Sequence, residues 1–142
     1  PAGLFGEVFA CAGLDRLPVT VIASADSRIL QLACRRIIET CSQSCTFHSR
    51  LIQNLLRIVA RKNLMLNQKL SFISRRSTRE KLMAYLTAQA KESESRIFSI
   101  PYNRQELADY LGVERSAMSA ELGKLKKEGI LDFYKNQFHI RA

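Results

Sequence analysis

The sequence predicts an α+β chain that is mostly helical and ends in two short helices followed by a small hairpin. Three observations carry this. A capped helix–turn–helix pattern fills Asn103–Glu128, two β-rich runs parted by two residues follow it, and an apolar repeat of helical period precedes it.

The pattern NRQELADYLGVERSAMSAELGKLKKE supplies its own start and stop signals. Asn103 is a good N-cap, and Glu106 stands three residues on, where a capping-box partner belongs. Leu107, Ala108 and Leu111 give the first helix one apolar face, and Gly112 can take the left-handed conformation that ends it. A second helix is predicted from about Arg115. Its Met118, Leu122 and Leu125 are spaced four and three apart and so share a stripe. The opposite stripe holds Ser116, Ala120, Gly123 and Lys127, with Arg115 and Ser119 on its flank. That outward face is slim for two turns and begins with Arg and Ser, a shape suited to a DNA major groove. An ordinary helical hairpin inside a core is the competing reading of these residues.

Gly129 breaks the second helix. The runs 130–134 and 137–140, separated by Lys135-Asn136, predict a hairpin. Residues 96–100, closed by Pro101, predict another short strand before the first helix. Strand, helix, helix and hairpin in this order make a winged helix. Lys135 and Asn136 at the hairpin tip are both able to meet a phosphate.

Upstream, Phe47, Leu51, Leu55, Ile58/Val59, Leu66, Leu70 and Ile73 recur at helical spacings, interrupted by Lys62. The span implies a helix of about 45 Å. Its apolar stripe exceeds what this chain can cover, so a parallel two-chain coiled coil is the natural use, with a core helix of a bundle as the alternative. Ser74–Ser77 reads as a hinge, and Ser77 or Thr78 as the cap of a helix over Arg79–Lys91, whose Leu82, Met83 and Leu86 face a core. Residues 18–23 and 28–33 read as strands around a turn, Val8–Ala12 and Arg35–Cys41 as short helices.

The chain carries 22 Lys+Arg against 13 Asp+Glu, a net charge of +9. Residues 1–45 hold four of each sign, so the whole excess lies in residues 46–142, which implies a polyanionic partner there. No basic amphipathic helix with bulky exposed apolar residues points to a membrane surface, and no apolar run approaches the roughly 20 residues of a span. The start lacks a signal-peptide pattern and reads as mid-domain sequence, which suggests a fragment or processed product. Cys11, Cys34, Cys41 and Cys45 are expected to be reduced cytosolic thiols. Cys41, Cys45 and His48 have spacings from which a metal or redox site could be built, but Gln43-Ser44 interrupts them; buried thiols and no metal are the expectation. His139, between Phe138 and Ile140, is expected to be exposed. No nucleophile with its base and no carboxylate pair is singled out, so an enzyme is not expected.

With these parts in order, the chain resembles the Crp-Fnr transcription regulators. The resemblance rests on LFGE (Leu4–Glu7), PVTVIA (Pro18–Ala23), the long helix, Asn103–Leu122 and KKEGIL (Lys126–Leu131). It implies three parts: a remnant of an effector-sensing, cyclic-nucleotide-binding-like β-roll at 1–43, a dimerisation helix and hinge at 44–76, and a winged helix-turn-helix at 77–142. It further implies base reading by Arg115, Ser116, Ser119 and Ala120, and phosphate contacts by Arg104, Gln105 and Lys135. Ala120 stands where many members carry a base-contacting Arg, which removes about 1–3 kcal/mol of guanine discrimination.

Gly6 and Glu7 match the effector pocket. Leu17-Pro18, however, replaces the Arg-Ser that would hold a cyclic phosphate, which argues against cyclic AMP. The implied whole is a dimeric, cytoplasmic, bacterial regulator gated by an unidentified small molecule. Its partners would be double-stranded DNA, a second copy and, further, RNA polymerase. A metal- or thiol-responsive sensor through Cys41/Cys45, and a protein-interaction module without DNA affinity, are the rival classes.

Overall fold

The computed structural model describes residues 3–14, 16, 18–38 and 46–141. They fall into two compact units, Pro1–Leu64 and Met65–Ala142.

In the first unit, Gly6 adopts a left-handed φ of 78° and turns the chain into α1 (Glu7–Cys11). Gly13, also left-handed at φ 71°, follows its end. α2 spans Cys34–Ile38, and α3 (Thr46–Ile73) begins here and runs on for 28 residues. The expected long helix is therefore present, and α1 and α2 lie within a residue of their predicted starts.

The two predicted strands are not. Residues 18–33 form no strand and are exposed throughout. Alternating Val, Thr and Ile residues favour a pleated surface, but a strand exists only as one side of a ladder. Among the described residues no ladder partner for these segments occurs.

Lys62, which interrupts the apolar repeat of α3, has a purpose in this unit. Its ammonium donates to Glu7 Oε1 and to the carbonyl of Leu4, both at 2.6 Å. Glu7 is buried, 6% exposed, and a carboxylate so placed is strongly disfavoured without a cation. Burial alone would raise its pKa. The hydrogen bond from Lys62, its backbone partner and the Lys62 charge outweigh that and hold the carboxyl below its ordinary value.

The second unit is built on a closed core. α3 ends at Ile73, and Ser77 caps α4 (Thr78–Glu92) by accepting the Glu80 N–H at 3.1 Å. β1 (Ile97–Ser99), α5 (Arg104–Leu111), α6 (Arg115–Lys127), β2 (Leu131–Tyr134) and β3 (Gln137–Ile140) follow. The sheet is antiparallel in the order β1-β3-β2, with Phe98 opposite Phe138 and Phe133 opposite Phe138 on either side of the central strand.

Leu82 and Leu86 of α4 meet Leu107 and Leu111 of α5, Met118, Leu122 and Leu125 of α6, and Leu131 and Phe138 of the sheet. All of these are essentially solvent-free. Burying each side chain of this size contributes about 1.5–3 kcal/mol, which fixes the helices against the sheet. Phe72, in the last turn of α3, packs edge-on against Tyr85 of α4 with ring centroids 5.7 Å apart. Met83 is only partly buried. His139, expected to be exposed, is half-buried because β3 is the central strand, where it faces Ile97 on one side and Asp132 on the other.

Candidate nucleic-acid interface

The turn between α5 and α6 is built as the local sequence dictates. The Asn103 side chain accepts the N–H groups of Gln105 and Glu106 at 2.9 Å, and Glu106 Oε2 accepts the Asn103 N–H at 2.7 Å, completing the capping box. Gly112 closes α5 at φ 59° and ψ 51°. In this conformation a β-carbon is strained, so glycine is the residue that keeps the turn tight. The chain then re-enters helix at Arg115. With Met118, Leu122 and Leu125 sunk into the core, the opposite side of α6 is left in solvent, and Arg115, Ser116, Ser119 and Ala120 are all exposed.

Two shallow clefts flank this surface. One is lined by Asn103, Arg104, Gln105, Arg115, Lys135 and Asn136. It brings together the starts of α5 and α6 and the hairpin tip, and with them all three expected phosphate residues and Arg115. The other is lined by Ser77, Thr78, Arg79, Ala117, Ala120, Glu121 and Lys124. Ser116 and Ser119 lie exposed on α6 without lining either. The start of α4 beside α6 was not anticipated for the interface. The capping signal at Ser77 locates that helix start, but its position beside α6 is tertiary information.

Arg104 does more than face the first cleft. Its Nη2 donates to the carbonyl of Lys135 at 2.9 Å, and its guanidinium lies 4.9 Å from the Phe133 ring centre and 5.0 Å from that of Phe138. Cation–π attraction and a directed hydrogen bond thus tie the start of α5 to the wing. Burial pulls the guanidinium below its usual pKa. Gln105 Nε2 is turned along its own helix to Asp109 Oδ1 at 2.9 Å, and its side chain remains exposed. Lys135 is a non-glycine residue at φ 50° at the tip of the hairpin. This uncommon conformation leaves its side chain exposed, 5.5 Å from the Tyr134 ring centre.

Several other charges in this unit are paired. Glu121 binds Lys124 and Asp132 binds Lys126, each at 2.6 Å, and Asp132 also binds Arg141 at 3.1 Å. Arg79 donates to Glu128. That contact holds the Arg79 guanidinium above its usual pKa and the Glu128 carboxyl below the usual carboxylate value. Arg115 and Lys135 have no carboxylate partner among the described residues.

Of the other predicted residues, Gly6 and Glu7 lie together at the start of α1, with Glu7 already bound to Lys62. Glu7 Oε2 has no hydrogen-bond partner among the described residues. Leu17, Cys41 and Cys45 lie outside the described residues. His48 is half-buried near the start of α3, edge-on to Phe47. No three His, Cys, Asp or Glu side chains gather as metal ligands among the described residues. None of the described helices is long and apolar enough to cross a membrane.

No curated protein matches the chain. Among solved structures it is similar to FixK2 from Bradyrhizobium japonicum, with 21% sequence identity and a TM-score of 0.57 over 66% of this chain and 48% of that one. The chain thus corresponds to about half the length of that structure, and the likeness is one of fold. The family model described as the Crp-like helix-turn-helix domain matches residues 80–142. These residues hold the capped α5, the Gly112 turn, the exposed α6 and the wing, and they are a Crp-like helix-turn-helix domain.

Proposed function

We propose that the chain is a DNA-binding transcription regulator of the Crp-Fnr type, working by binding rather than catalysis. The observation that carries this is the exposed outer face of α6, beginning at Arg115, beside a cleft that also holds Arg104, Gln105 and Lys135. A helix of this width enters the major groove, and cations and helix N-termini on its flank engage the two phosphate ridges. On this reading Arg115, Ser116, Ser119 and Ala120 read bases, while Arg104, Gln105 and Lys135 hold phosphates.

The protein acts as a dimer through α3. Leu56, Leu66 and Leu70 are each more than half exposed and, at about 100° per residue, share one side of that helix, an apolar surface of the kind a second copy covers. Two-fold symmetry then calls for a near-palindromic site with half-sites about 34 Å apart. Residues 1–43 belong to the effector-sensing part, 44–76 to the dimer helix and hinge, and 77–142 to the reading domain. RNA polymerase is a further partner on this reading. The effector is a small molecule other than cyclic AMP, since Leu17-Pro18 supplies no cation for a cyclic phosphate and the Glu7 carboxylate is already engaged by Lys62.

Selection of bound duplexes from a random pool, followed by affinity measurements at several salt concentrations, tests the proposal. A near-palindromic consensus bound well above random DNA is expected. Absence of affinity for any duplex at low salt would overturn it in favour of a protein-interaction module.

A further inference from the structure

The fold brings together two cysteines that sequence spacing keeps apart. Cys11 closes α1 and Cys34 opens α2, and their Sγ atoms lie 3.8 Å apart as free thiols. We propose that Cys11 and Cys34 are a dithiol site that low-molecular-weight disulfides oxidise to a reversible intramolecular bond, tying α1 to α2.

Three features of the site support this. A disulfide needs its sulfurs about 2.05 Å apart, so the pair closes by a shift of less than 2 Å, within reach of side-chain rotation. Cys11 is exposed and Cys34 half-exposed, so a small oxidant reaches both. The described residues they enclose from Leu14 to Ala33 are exposed and without regular structure, so closing this loop removes conformations of the segment. The other end of α1 is already fixed by Glu7 on Lys62, and the new bond would hold the helix at both ends. Desolvation, the contact with Cys34 and the nearby Glu7 carboxylate raise the Cys11 thiol above its usual pKa.

The chemistry balances as two exchanges. One protein thiol, as its thiolate, attacks a sulfur of the small disulfide RSSR, forming a mixed disulfide and releasing RS⁻. The second thiol loses its proton and displaces the remaining RS⁻. The protein dithiol gives up two electrons and two protons, and RSSR becomes two RSH. Excess small thiol reverses both steps.

The test is equilibration of the chain in glutathione redox buffers, followed by acid quenching and peptide mapping. The expected product has lost two hydrogens and joins the tryptic peptide ending at Arg16 to that ending at Arg35. It should be absent from Cys34→Ser and from Cys11→Ser, and reversed by dithiothreitol. The folded chain should oxidise at oxidised-glutathione levels at least about tenfold lower than the same chain in urea, because folding raises the effective concentration of one thiol at the other. Persistent glutathione adducts on Cys11 and Cys34, a bond to Cys41 or Cys45 instead, or equal oxidation in folded and unfolded chains would overturn the proposal. The wild-type map decides even if a variant fails to fold, and the result is independent of DNA affinity.

Discussion

Between Phe72 and Ile140 fifteen hydrophobic side chains are buried against one another, whereas between Gly3 and Leu64 the buried side chain among the described residues is a carboxylate, Glu7. The second unit is held by a core that its own elements close. The first is held by point contacts, Lys62 on Glu7 and Leu4 and the thiol contact of Cys11 with Cys34, while Ile22 and Leu30 stand 83% exposed. A local pattern becomes an element where a core or a ladder accepts its apolar face, and stays irregular where neither does.

Substitutions on the two sides of this contrast should differ in size. Leu122→Ala opens a cavity in a closed core and is expected to cost about 2–5 kcal/mol in urea unfolding. Leu30→Ala, on an exposed segment, should stay within about 0.5 kcal/mol. Equal costs would mean the first unit has a core of its own and would break the comparison.

Arg115→Ala, at an exposed position, should leave stability unchanged and lose about 1–3 kcal/mol of discrimination between the selected and random duplexes. A uniform loss on both duplexes would reassign Arg115 to phosphate contact. Asn103→Ala removes the acceptor for two N–H groups and should cost about 1 kcal/mol of stability, read from the unfolding midpoint.

Arg104→Ala sharpens the contrast differently, because its guanidinium both faces the cleft and holds the wing. Binding to all duplexes should weaken and the salt slope flatten by about one contact. Arg104→Lys should restore the slope better than the wing, since an ammonium lacks the planar fork that serves the Lys135 carbonyl and lies over two rings. Full recovery of stability and binding by Lys would rule out the wing-holding role.

The smallest effect concerns pH. Glu7 is held below its ordinary value, so it contributes stability that is present above the unfolded carboxyl pKa and is lost as pH falls through the folded one. Unfolding followed on the acid side should show this loss in wild type and not in Lys62→Met, where the carboxyl loses its cation and its pKa should turn upward. An unchanged acid profile in Lys62→Met would remove the pair as a source of stability.

The helix-turn-helix domain was legible because its signals are local. Asn103 and Glu106 lie three residues apart, Gly112 marks its own turn, and Met118, Leu122 and Leu125 define the buried side of α6 and hence, by subtraction, the exposed one. What escaped the sequence depends on distant residues meeting. Arg104 reached the wing 31 residues away, Lys62 found Glu7 across 55 residues, and Cys11 paired with Cys34 while the closer spacing of Cys41 and Cys45 drew attention. Residues 18–33 misled because side-chain preference specifies only half of a strand, and the neighbouring backbone specifies the rest.

The ion pairs of the second unit also bear on how it would meet a polyanion on the proposed reading. With Lys124, Lys126 and Arg141 each answered by a nearby carboxylate, their attraction is largely spent within the molecule. Arg115 and Lys135, which line one cleft, have no carboxylate partner among the described residues. On the proposed reading, the charge at that cleft adds a local attraction for a phosphate ridge. Added salt screens that attraction and should weaken it.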